Sequence, residues 1–103
     1  MKEVIIMFWP YASIGDMEIV HSPVDCKGNV SVHIEKPDDK VCFKVLDITI
    51  PNLEITNSFA FNISEVEILK AFCKANTDIM FESAKKAAFG TFLNEVNGTS
   101  TVN

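Results

Sequence analysis

The chain has 103 residues, 48% of them hydrophobic, and its cations are nine lysines with no arginine, set against fourteen acids for a net charge of −5. A chain of this length supports one core, so a single domain over 1–103 is expected, and a mean hydropathy of +0.18 excludes a disordered chain. The acidic balance and the missing guanidinium fork argue against a nucleic-acid partner, because neutralising phosphate supplies most of that affinity.

Up to residue 57 the pattern is that of strands. Val4 to Trp9 is a nearly continuous apolar run, as in a strand buried on both faces, and Pro10 ends it. The run is too short for a signal peptide or a membrane span of about twenty residues. Gly15-Asp16 marks a turn before a strand over Met17 to His21, which Ser22-Pro23 closes. After a turn at Lys27-Gly28-Asn29, Val30, Val32 and Ile34 alternate with Ser31, His33 and Glu35. Pro37-Asp38-Asp39 forms the next loop, and Val41, Phe43 and Val45 then alternate with Cys42 and Lys44, so the two segments read as one antiparallel hairpin. A further strand between Asp47 and Thr56 contains Pro51, which confines it to an edge or breaks it in two.

Beyond Ser58 the period lengthens to that of a helix, and 63–97 is read as helical. Ser64-Glu65-Val66-Glu67 has the form of a capping box, with Ile63 and Ile68 spaced as its hydrophobic staple. Val66, Leu69, Phe72 and Cys73 form an apolar stripe that continues through Ile79, Met80, Ala84, Ala87, Ala88, Phe92, Leu93 and Val96. Asn76-Thr77-Asp78 either caps a second helix or lies on the wet side of one long helix. Asn97-Gly98 is a natural stop, and a frayed tail is expected over 98–103. The predicted class is α+β: an antiparallel sheet of four to five strands followed by one or two C-terminal helices packed on one face.

The odd count of widely spaced cysteines, Cys26, Cys42 and Cys73, fits reduced thiols and a cytosolic protein, in which the three Asn-x-Ser/Thr sequons stay unused. No metal and no cofactor are predicted. Among His21, Cys26, His33 and Cys42 nothing is closer than the four-residue gap between His21 and Cys26, the widest of the usual paired spacings of a zinc site, and the histidines read as surface residues. Glycine-rich phosphate loops and nucleophile elbows are missing.

Two constellations remain. Ser31, His33 and Glu35 share the polar face of the hairpin, with Cys42 and Lys44 expected on the same face of its partner strand. A histidine beside a carboxylate can act as a general base for a nearby Ser or Cys, although a solvated sheet face has the same composition. Glu35, Asp38, Asp39 and Asp47 can be grouped as an acidic cluster, but turn chemistry accounts for Asp38-Asp39 more simply. The second constellation is Phe8-Trp9-Pro10-Tyr11, which holds the only Trp and the only Tyr, residue types favoured as interface anchors. Phe59, Phe61, Phe81, Phe89 and Phe92 are assigned to the core, with Phe81 off the main stripe.

The run from Gly15 to Ala84 resembles a family of very small bacterial domains often encoded beside a second short gene in toxin–antitoxin-like pairs. Gly15 precedes the Met17 to His21 strand, and Val32-His33-Ile34-Glu35-Lys36 corresponds to the second half of a Pro-His-x-His strand motif. Phe61, Ser64, Glu65, Val66, Leu69, Phe72, Asn76 and Met80 follow the family's helix pattern. Val30-Ser31 replaces the Pro-His pair and Ala84 the usual aromatic, so a histidine-based site would rest on His33 alone.

These features lead to two expectations. The first is a non-enzymatic module that binds a protein partner or itself, without nucleic acid or membrane, through Trp9, Tyr11, Asp38 and Asp39. The alternative is a small hydrolase or nuclease centred on His33, with Glu35 and Ser31. Residues 1–62 carry five lysines and nine acids, and residues 63–103 four lysines and five acids, so the acidity belongs to the sheet half, where a basic partner would dock.

Overall fold

The computed structural model describes residues 8–96, with side chains through Ala87. The expectations for Val4 to Met7, for the Asn97-Gly98 stop, for the tail and for the side chains of Ala88, Phe89, Phe92, Leu93 and Val96 lie outside the described residues. Five antiparallel strands, β1 (Trp9–Ile14), β2 (Met17–His21), β3 (Val30–Asp38), β4 (Cys42–Ile50) and β5 (Glu54–Phe59), follow one another across the sheet in chain order. Two helices complete the fold, α1 (Ile63–Ala75) and α2 (Thr77–Val96). This is the α+β arrangement predicted. Among the described residues no helix is long and apolar enough to cross a membrane.

The strands end where backbone chemistry requires it. Gly15 takes a φ of +62° between β1 and β2, a left-handed conformation that costs glycine least. In the loop before β3, the Asp25 carboxylate accepts from the backbone N–H of Lys27 and of Asn29. Pro51 breaks the long apolar segment in two, leaving β4 and an exposed edge strand β5. Pro37 and Asp38, expected in a loop, instead extend β3 and pair with Phe43 and Cys42. The turn is only Asp39 to Val41, and the Asp38 carboxylate caps it by accepting from the N–H of Lys40 and Val41.

One face of the sheet makes the core. Ile19, Val30, Val32, Ile34, Leu46, Ile48 and Ile50 are buried there against Leu69, Cys73, Met80 and Ala84 of the helices. Each such aliphatic side chain contributes roughly 1.5–3 kcal/mol by leaving water. The parity read for β4 is corrected by this register. Its buried residues are Leu46, Ile48 and Ile50, so Phe43 and Val45 point outward while Cys42 and Lys44 lie on the helix side.

The capping box of α1 also stands two residues earlier than read. Asn62, not Ser64, is the N-cap: its side chain accepts from the Glu65 N–H at 2.8 Å, and its own N–H donates to Glu65 Oε1 at 2.9 Å. The staple positions become Phe61 and Val66, both packed against the core, whereas Ile63 and Ile68 are exposed. Asn76 closes α1 and its carbonyl accepts from the Met80 N–H of α2, so the helical region is two helices. Phe59, assigned to the core from sequence, and Ile79, placed on the apolar stripe, are 51% and 59% exposed because their positions face away from the core.

Candidate functional site

Among the described residues nothing covers the sheet face opposite the helices, and His33 sits in its middle. Alternation along β3 turns His33 and Glu35 outward, and the β3–β4 register sets Asp47 directly across from His33. The ring is held at both nitrogens, with Nδ1 2.5 Å from Asp47 Oδ1 and Nε2 2.7 Å from Glu35 Oε2. A carboxylate only accepts, so both ring nitrogens donate and the imidazole is a cation. Partial burial opposes that charge, but the hydrogen bonds to Glu35 and Asp47, with the charges of both, hold the His33 pKa above the ordinary histidine value. Asn57 Nδ2 of the edge strand donates to Asp47 Oδ2 at 3.3 Å, extending the network across three strands.

A shallow basin of about 360 Å³ lies beside the clamp, lined by Phe8, Glu18, Val20, His33 and Glu35. Phe8 tilts over the imidazole with ring centroids 5.8 Å apart, an arrangement favourable to a cationic ring. Glu18 pairs with Glu35 across β2 and β3, and its Oε1 accepts from the Ser13 hydroxyl. Phe8, Phe43 and Phe59 are 43%, 48% and 51% exposed, and Val45 joins Phe59 across β4 and β5.

The structure gathers His33, Glu35 and Asp47, and leaves the other candidates elsewhere. Ser31 shares the face but pairs with Thr49, and its N–H donates to Ser22 Oγ. Lys44, on the helix side, reaches Glu65 at 3.3 Å and lies over the Phe61 ring. The hydrogen bonds to the Lys40 and Val41 amides lower the Asp38 pKa. Tyr11 faces the helices, where its hydroxyl donates to Asn76 Oδ1 at 2.8 Å and its ring meets Phe72 edge-on. Trp9 is half-buried, and its Nε1 has no acceptor among the described residues. No group of three or more His, Cys, Asp or Glu among the described residues is placed to hold a metal ion.

Two positions of the candidate sites escaped sequence reasoning. Asp47 was grouped only with the loop acids, although counting outward from the Asp39 to Val41 turn pairs it with His33. His21, read as a surface residue, is fully buried, with Nδ1 2.8 Å from the Ser22 carbonyl and Nε2 2.7 Å from Ser83 Oγ. Its parity with Ile19 on β2 signalled burial, whereas its partner lies 62 residues away on α2.

Compared with known protein families, with curated proteins and with solved structures, the chain matches none.

Proposed function

We propose that the protein is a cytosolic binding module whose open sheet face docks a basic protein partner. The observation that carries this reading is a sheet face that none of the described residues covers. Phe8, Phe43 and Phe59 stand 43–51% exposed on the same face as the Asp47–His33–Glu35 clamp, while both helices pack on the opposite face. Exposed aromatics within an acidic surround suit a partner that brings apolar side chains and cations. Two carboxylates around one imidazolium leave the clamp with net negative charge, and Glu18 adds to it. The likeness to small bacterial domains encoded in pairs and the three free cysteines support a partner met in a reducing cytosol.

A hydrolase centred on His33 is less well supported. A general base needs a free lone pair, and both nitrogens already donate to carboxylates. Neither Ser31 nor Cys42 makes a hydrogen bond to the ring among the described contacts.

The test is a pull-down from the source cell with wild type, Phe43→Glu, Phe59→Glu and, as a control on the helix side, Ile68→Glu, alongside light scattering. A basic protein retained by wild type and by Ile68→Glu but lost by both phenylalanine variants is the expected result. Retention by all four variants refutes the face. A concentration-dependent dimer that Phe59→Glu abolishes assigns the face to a second copy of the chain instead.

A further inference from the structure

The geometry points to a second site on the helix side of the sheet, independent of the docking face: Ser83 is a nucleophile, activated by His21, that accepts an acyl group from a carboxylic ester with a good leaving group.

The argument begins with which atom holds the proton. The Ser22 carbonyl can only accept, so His21 Nδ1 carries the hydrogen and donates to it at 2.8 Å. Nε2 therefore presents a lone pair, and the Ser83 hydroxyl 2.7 Å away donates to it. This polarity, a hydroxyl aimed at a basic nitrogen whose other ring nitrogen is fixed by a third group, is the one an activated serine requires. The two histidines are opposite in this respect. His33 has no free lone pair and no serine bonded to it, whereas His21 has both.

The helix brings the hydroxyl to a surface. Ser83 lies three residues after Met80 and four before Ala87, both buried, so it belongs to the core-facing stripe of α2 and yet is half-exposed. It opens on a basin of about 330 Å³ lined by Trp9, Pro10, Ser83, Lys86 and Ala87. His21 is fully buried behind it, so the hydroxyl is the only member of the pair within reach of a ligand. The rest of the basin matches an acyl donor. Trp9 and Pro10 offer an apolar wall to a compact acyl group. The exposed Lys86 supplies a cation toward which a departing anion can move.

In the step, Ser83 Oγ attacks the ester carbonyl carbon and its proton passes to His21 Nε2. The tetrahedral oxyanion collapses, the bond from carbon to the leaving oxygen breaks, and that oxygen leaves with the electron pair. The products are an acyl ester on Ser83 and an alkoxide or phenolate, and the imidazolium returns its proton to the leaving group or to solvent.

The full chain is treated with p-nitrophenyl acetate and, separately, with a fluorophosphonate, and adducts are located by intact mass and peptide mapping. The expected result is one adduct, at Ser83, formed at least tenfold faster than at the exposed Ser31 and Ser64. It should be absent from Ser83→Ala. His21→Asn keeps a donor for the Ser22 carbonyl but has no basic nitrogen, so it should slow labelling at least tenfold with unchanged circular dichroism, a positioned base supplying about 10²–10⁴-fold. Labelling of wild-type Ser83 no faster than Ser31 and Ser64 overturns the proposal without recourse to any variant. So does acetylation of Lys86 in place of Ser83, or full-rate labelling of a folded His21→Asn chain.

Discussion

The clamp on His33 makes stability depend on pH with a definite sign. Its pKa is raised in the folded chain, so the fold binds this proton more tightly than the unfolded chain does. The contribution is complete below the unfolded value of about 6.5 and disappears as pH climbs through the higher folded value. Replacing His33 by Gln keeps a hydrogen-bonding side chain and removes the cation. The Asp47 and Glu35 carboxylates then flank the position with no cation between them, a repulsion of about 1–2 kcal/mol at an effective dielectric of about 20–40. The His33 side chain is 26% exposed and that of Glu35 44%, so water screens the pair and the lower end of that range applies. Urea unfolding at pH 5.5 and at pH 8.0 reads the effect. His33→Gln should cost about 1 kcal/mol at pH 5.5, with the gap to wild type smaller at pH 8.0. The upper limit of pH 8.0 matters because burial raises the Cys73 thiol to about 11, which makes stability fall with pH as the unfolded thiol ionises. Parallel stability profiles for the two proteins, or a wild type more stable at pH 8.0 than at 5.5, would refute a proton held by the clamp.

Three further outcomes are expected. Leu46→Ala removes a fully buried side chain between sheet and helices and should cost about 2–5 kcal/mol, read from the urea midpoint. Asn62→Ala should lower stability by about 1 kcal/mol, while Ser64→Ala should change it by no more than a few tenths, which separates the observed capping box from the one read in sequence. Iodoacetamide should label Cys26 and Cys42 rapidly in the native chain and Cys73 only after unfolding, because Cys73 is buried with a raised pKa and the other two are exposed; mass spectrometry counts the adducts.

Much of the strand layout was legible because turn chemistry is local. Gly15, the Ser22-Pro23 pair, Gly28 and Pro51 each act on their own backbone, and the strands fall between them. The α+β class followed from the change of period near Ser58. Cap position was harder, since Asn62-x-x-Glu65 and Ser64-x-x-Glu67 are equivalent in composition and only the packing of Phe61 and Val66 selects the first. The sheet parity of β4 was ambiguous for a related reason. Its residues from Cys42 to Ile50 place apolar side chains on both faces, so alternation alone does not say which set is buried.

The candidate sites divide along the same line. His33 and Glu35 share a face by period-two geometry, so their proximity followed from the sequence alone. The clamp itself required register, because Asp47 becomes the second acceptor only when β4 returns at the offset set by the Asp39 to Val41 turn. His21 and Ser83 required the full tertiary arrangement. A β2 side chain and an α2 side chain 62 residues apart meet only once the helices cover the sheet. Composition and local periodicity determine which residues form strands and helices, because those preferences are settled within a few residues of chain. Which histidine is clamped between carboxylates and which receives a hydroxyl proton is decided by contacts between distant segments, and only packing brings those together.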